Sequence, residues 1–138
     1  MPSKEEKQTR SDFSERYAIR ANSDVIDEIE EQVLGESWGA SGYTTVAEAR
    51  RMLDLLDLSA GSRLLDLGSG LGWPGLYLAH QAGCEVVVTD MPTEGLAISV
   101  RRARAENIRS LGAVACSGTN LPFVEGSFSA VVHTDVLC

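Results

Sequence analysis

Leu64-Leu65-Asp66-Leu67-Gly68-Ser69-Gly70-Leu71-Gly72-Trp73-Pro74-Gly75 is the stretch that decides the fold. Four residues of strand character run into a glycine turn, and Pro74 stands where a helix can begin. A strand ending in such a turn brings backbone N–H groups close to a ligand, because glycine has no Cβ to hold the ligand away. The helix that follows aims its positive end at the same place. Asp66, two residues before the first glycine, adds a carboxylate beside those donors. A site with both signs of charge suits a ligand with both signs.

The dinucleotide fingerprint requires Gly-x-Gly-x-x-Gly. Counted from Gly68, its third glycine falls on Trp73. The pattern here is Gly-x-Gly-x-Gly, at Gly68, Gly70 and Gly72. An acid at Asp66 is also unexpected for a pyrophosphate, and fits a cationic group such as an amine or a sulfonium. Further on, Glu85-Val86-Val87-Val88-Thr89-Asp90 is a β-branched run ending in a carboxylate, as a buried parallel strand reads. Asp90 lies 22 positions after Gly68, near the roughly 20-residue spacing of an acid that accepts hydrogen bonds from ribose hydroxyls.

The Asp-x-Gly-x-Gly turn resembles motif I of the class I S-adenosylmethionine-dependent methyltransferases. Leu121-Pro122-Phe123-Val124-Glu125-Gly126-Ser127-Phe128-Ser129-Ala130-Val131-Val132 resembles the segment that leads into the fourth strand of many small-molecule members. The three pieces occur in the family's order and spacing and cover residues 60 to 138. The resemblance implies a Rossmann-like parallel sheet of order 3-2-1-4, with the ligand at the carboxyl ends of strands 1 and 4. It implies S-adenosyl-L-methionine as cofactor, held by Asp66, Gly68, Ser69, Gly70, Gly72, Asp90, Met91, Ser117, Gly118 and Thr134. His133, at the end of the fourth strand, is the candidate general base where an acceptor must lose a proton. The acceptor implied is a small molecule.

Two positions depart from the family pattern. An acid usually stands four residues before the Leu121 position, where it accepts from the adenine amino group; here it is Ser117. A hydroxyl accepts without charge assistance, a loss of about 1 kcal/mol. Ser129 replaces an acid that is usually structural, and is expected to affect stability more than binding. The family fold also continues with a fifth strand and an antiparallel pair. The expectation is a fragment of a longer enzyme, with a short form completed by a partner, or a cofactor-binding relic, as alternatives. Self-association through the open edge of the fourth strand follows from the same geometry.

At 138 residues and 43% hydrophobic content, one domain with a real core is expected. The net charge of −8 argues against nucleic acid and anionic membranes as main partners. Residues 1–62 carry net −6 and residues 63–138 net −2. Cys84, Cys116 and Cys138 have no Cys-x-x-Cys spacing, so no metal site or disulfide framework is expected, and Cys84 and Cys116 are expected to be small core residues. No apolar run reaches membrane-spanning length and no signal-peptide core is present, which gives a cytoplasmic expectation.

Residues 1–58 are expected to form an N-terminal helical arm or lid, and residues 59–138 the incomplete cofactor-binding core. Within the arm, residues 1–10 are expected to be a loose tail, and Asp12 to cap a short helix. Ser23 is expected to cap a second helix whose apolar stripe is Val25, Ile26, Ile29, Val33 and Leu34, with Asp27, Glu28, Glu30 and Glu31 on its wet face. Thr45-Val46-Ala47-Glu48 is a capping box. Thr93 is a cap candidate for a later helix. Strands are expected near Arg63–Leu67, Glu85–Asp90, Ala113–Cys116 and Ala130–Thr134, in a parallel sheet with helices on its faces. Tyr17, Trp38 and Tyr43 are candidates for a lid whose aromatic faces attract a sulfonium. A non-catalytic S-adenosylmethionine-binding or interaction module is the alternative function, and a nicotinamide-binding fold a distant third.

Overall fold

The computed structural model describes residues 3–21, 23–40 and 42–136. Three helices lead the chain: α1 (Lys4–Arg20), α2 (Asp24–Leu34) and α3 (Val46–Leu56). Alternating strands and helices follow: β1 (Arg63–Leu67), α4 (Gly75–Ala82), β2 (Glu85–Asp90), α5 (Thr93–Ala105), β3 (Ser110–Ala115) and β4 (Ala130–Val132). The four strands form one parallel sheet of order β3-β2-β1-β4. This is the expected Rossmann-like order, with the switch point between β1 and β4.

Register explains which residues make the core. Leu64 pairs with Val86, and Asp66 with both Val88 and Val132. Side chains in register share a face, and Leu64, Val86, Val88 and Val132 pack there with Leu76, Leu78, Leu96 and Ala103 of α4 and α5. Right-handed crossovers from β1 to β2 to β3 put both helices on that one face. The expected parallel sheet with packed helices is found, and both crossover helices share this face. α3 joins the same core: Ala49 is fully buried, and the Thr45–Glu48 capping box starts the helix as expected.

Three local expectations are corrected. α1 begins at Lys4, eight residues earlier than expected, because Ser3 and Glu6 form a capping box of their own. Val25, Ile26, Ile29 and Val33 of α2 face outward, Val25 61% exposed and Val33 74%, and the Leu34 side chain lies outside the described residues. The inward face of α2 belongs to Glu30, only 9% exposed. The Glu30 carboxylate accepts from the backbone N–H of Trp38 at 2.8 Å, Ala40 at 3.0 Å and Gly39 at 3.1 Å. Three N–H groups of a loop need an acceptor more than a few surface aliphatics need cover, since an unpaired buried N–H costs about 1–3 kcal/mol. The third correction concerns caps and ends. Ser23 makes no side-chain cap, Pro92 rather than Thr93 precedes α5, β3 is displaced toward Ser110–Ala115, and β4 stops at Val132.

Candidate functional site

β1 delivers Asp66 and the glycine turn to the carboxyl edge of the sheet. The turn is tied down by its neighbours. The Ser69 N–H donates to Thr89 O at 2.8 Å, and the Thr89 hydroxyl donates back to Asp66 O at 3.0 Å. Gly68 has φ +72° and Gly72 +95°, a region that L side chains avoid. A Cβ at Gly68 would meet Val136, and one at Gly75 would meet the Asp66 carboxyl. The loop is thus a close-packed cradle that a larger residue would fill.

Asp66 lies beneath that cradle, 1% exposed. Its Oδ2 accepts from the Gly75 N–H at 2.9 Å, at the start of α4. Its Oδ1 has no hydrogen-bond partner, and neither has the buried Ser69 hydroxyl. Burial pushes the Asp66 carboxyl up to about 8; the Gly75 N–H pulls it down and the charge of Asp90 adds to the rise. Asp90, at the end of β2, accepts from the Gly70 N–H and from its neighbour Met91 N–H, both at 2.7 Å. Burial also raises its carboxyl, against those two donors. Asp90 therefore clamps the glycine turn, a job its position in the sequence did not reveal. Each carboxylate oxygen keeps a second lone pair for a ligand hydroxyl.

Two adjoining cavities open beside these residues. The smaller, about 160 Å³, is bordered by Gly68, Asp90, Met91, Phe13, Tyr17 and Val136, among others. The larger, about 560 Å³, is bordered by Met91, Ala115, Cys116 and Ser117 from the sheet side and by Glu6 and Lys7 from α1. Arg10 of α1 borders both. α1 crosses the carboxyl edge of the sheet. Its Glu6 accepts from the Ser117 hydroxyl beyond β3 at 2.7 Å, and its Ser14 hydroxyl donates to Glu94 of α5 at 3.0 Å.

Of the residues expected to hold a cofactor, Gly68, Asp90, Met91 and Ser117 border these cavities. Ser69, Gly70 and Gly72 are buried in the turn behind them. Gly118 follows Ser117 against Leu67. Thr134 and His133 border neither cavity, and His133 is exposed. Asp135 borders the smaller one and holds the loop before α3, accepting from the Tyr43 N–H at 2.9 Å. The three aromatic residues separate. Tyr17 borders the smaller cavity, and its hydroxyl is pushed up by burial and by the charge of Asp90. Trp38 is buried edge-on against Tyr77, with centroids 5.3 Å apart, and Tyr43 is 90% exposed. Cys84 is fully buried, Cys116 borders the larger cavity, and Cys138 lies outside the described residues. Sequence reasoning missed Glu6 and Arg10; the Ser3-x-x-Glu6 capping box, which extends the helix to the cleft, was the signal that would have found them.

A parallel α/β sheet of order β3-β2-β1-β4 with a glycine turn after β1, an acid after β2 and a cleft across both defines a Rossmann-like fold. The chain belongs to the methyltransferase domain family, whose model matches residues 64–138. The demethylmenaquinone methyltransferase of Thermus thermophilus is 42% identical over 85 residues, covering 59% of this chain and 37% of that protein. Phosphoethanolamine N-methyltransferase 1 of Triticum aestivum is 27% identical over 108 residues, covering 78% of this chain and 21% of that protein. This chain thus spans well under half the length of these relatives. In structure, it superimposes with a TM-score of 0.62 and 20% identity on a SAM-dependent methyltransferase from Geobacter sulfurreducens, solved with S-adenosyl-L-homocysteine. The match covers 72% of this chain and 40% of that one.

Proposed function

We propose that this chain is the cofactor-binding part of an S-adenosylmethionine-dependent methyltransferase acting on a small molecule. The observation that carries the proposal is the placement of Asp66, the glycine turn and Asp90 at one edge, with Asp66 Oδ1 and Ser69 Oγ buried and unpartnered. Unsatisfied buried polar atoms are rare in folded proteins and call for a ligand or a functional reason. The cradle fits a ligand that carries a ribose beside a positive charge. S-adenosylmethionine, when bound, supplies an electrophilic methyl on a sulfonium.

The chain's own residues would bind and orient. Asp90 would accept from ribose hydroxyls through its remaining lone pairs. Asp90 would place negative charge near the cationic end, and Asp66, whose carboxyl burial pushes up to about 8, would offer its unpartnered Oδ1 as a hydrogen-bonding group. Gly68 and Gly70 would let the backbone approach closely, and α1, with Phe13 and Tyr17, would exclude water. In-line transfer depends mainly on such positioning. A general base is required only for acceptors that must lose a proton, and His133 is the candidate beyond β4. The relatives' names span a phosphoethanolamine and a demethylmenaquinone methyltransferase, so likeness alone does not select the acceptor.

Calorimetric titration with S-adenosylmethionine, S-adenosylhomocysteine and NAD tests the proposal. Binding of the first two without the third is the expected result. Binding of NAD alone would overturn it.

A further inference from the structure

The larger cavity has polar lining on two sides, Ser117, Thr119 and Asn120 beyond β3 and Glu6, Lys7 and Arg10 on α1, while Met91, Ala115 and Pro122 supply apolar wall. A flat heterocycle with a polar edge matches that division. Ser117 itself has nothing left to offer such an edge. Its single proton goes to Glu6 Oε1 at 2.7 Å. Its two lone pairs face Thr119, the hydroxyl at 2.9 Å and the N–H at 3.3 Å. A serine hydroxyl has one donor and two acceptor positions, and all three are used. Glu6 is different. Its Oε2 accepts from the Ser3 N–H at 2.7 Å and its Oε1 from Ser117. A carboxylate has about four acceptor positions, so half of them remain.

We propose that Glu6, on the helix that crosses the cleft, is the acceptor that selects a purine carrying an exocyclic amino group over one carrying a carbonyl at the same position. The proposal rests on the S-adenosylmethionine reading of the site. The Ser3 N–H and the Ser117 hydroxyl also hold the Glu6 carboxyl below its ordinary range, which keeps it ionised near neutral pH. An ionised carboxylate attracts an amino N–H and repels a carbonyl lone pair, so its effect on base choice has both an attractive and a repulsive half.

The test is paired binding of S-adenosylhomocysteine and its 6-oxo counterpart, S-inosylhomocysteine. The parent protein is expected to prefer the amino compound by about tenfold or more, the scale of a hydrogen bond to a charged group. Glu6→Gln keeps the capping box, which glutamine also closes. With its oxygen held by the Ser3 N–H, its amide presents a donor to the ligand, so the preference for the amino compound should be lost or turn toward the 6-oxo compound. Ser3→Ala loosens the cap and leaves the carboxylate; both ligands should weaken together with their ratio kept. An unchanged ratio in Glu6→Gln, with S-adenosylhomocysteine still bound, overturns the role of Glu6 alone. So does a ratio lost equally in Ser3→Ala. Failure of the parent to bind S-adenosylhomocysteine overturns the cofactor reading beneath it.

Discussion

Asp66 and Asp90 show how one backbone arrangement assigns two carboxylates different work. Asp66 is buried under the turn with one N–H partner, and its carboxyl is pushed up to about 8. Asp90 is half-buried with two N–H partners and is raised as well. Between the ordinary carboxylate range and the folded value, the native state holds protons that the unfolded chain has released. Stability from Asp66 is therefore fully present below about pH 4 and declines as pH rises through about 8. Asp66→Asn removes that titration while keeping an acceptor for Gly75. The variant should lose the parent's decline in urea stability between pH 5 and pH 8, measured at a series of pH values; a parent curve that rises over this interval would contradict the assignment. For Asp90, Asp90→Ala should weaken S-adenosylhomocysteine binding by about 1.5–3 kcal/mol, the range for hydrogen bonds to a charged group. Because Asp90 also clamps Gly70, the variant's unfolding free energy must be measured alongside. Parent-like affinity in a folded Asp90→Ala protein would show that the ribose lies elsewhere.

Among the elements, those written as contiguous motifs were legible in the sequence. β1, its turn and β2 each combine β-branched or leucine runs with fixed glycine and acid positions, and they stand where the spacing put them. α2 was legible as a helix and misread as a face. Its apolar stripe at Val25, Ile26, Ile29 and Val33 implied inward packing, yet the contact that orients it is long-range, from Glu30 to the N–H groups of residues 38–40. No periodicity within eleven residues reports a loop's need for an acceptor. Asp90's clamp on Gly70 was hidden for the same reason, since the hydrogen bond joins two elements. Arg20 completes the α2 cluster, meeting Asp27 at 2.7 Å and Glu30 at 3.4 Å. Glu30→Ala should therefore unfold the loop before α3 and cost about 2–4 kcal/mol, since several donors lose one shared acceptor. Equilibrium unfolding in urea measures this. A loss below about 0.5 kcal/mol, the range of ordinary surface substitutions, would mean that water satisfies those groups.

Across the whole molecule the sheet is covered unevenly, and this sets its behaviour in solution. Leu65 pairs in register with Val87 and with Val131, and these three point away from the face that packs with α4 and α5. Val131 is 51% exposed there. Among the described residues, β4 has β1 on one side and no second strand on the other. Leu65 and Val87 on that face are themselves buried, 2% and 8% exposed, so the apolar exposure is confined to the β4 edge, which was legible from the strand order. An exposed apolar side chain on a free parallel edge invites a second copy of the same strand. The chain as given should therefore self-associate through β4, with a sedimentation coefficient that rises with concentration. Val131→Lys places a charge on that face without touching the helix-packed core, and should shift the protein toward monomer. The competing surface is the outward stripe of α2, so Val33→Lys is the matched control and should leave association unchanged. If Val33→Lys alone dissociates the protein, α2 is the interface and the sheet edge is shielded by other means. A parent chain that stays monomeric over the whole concentration range would remove the edge argument altogether.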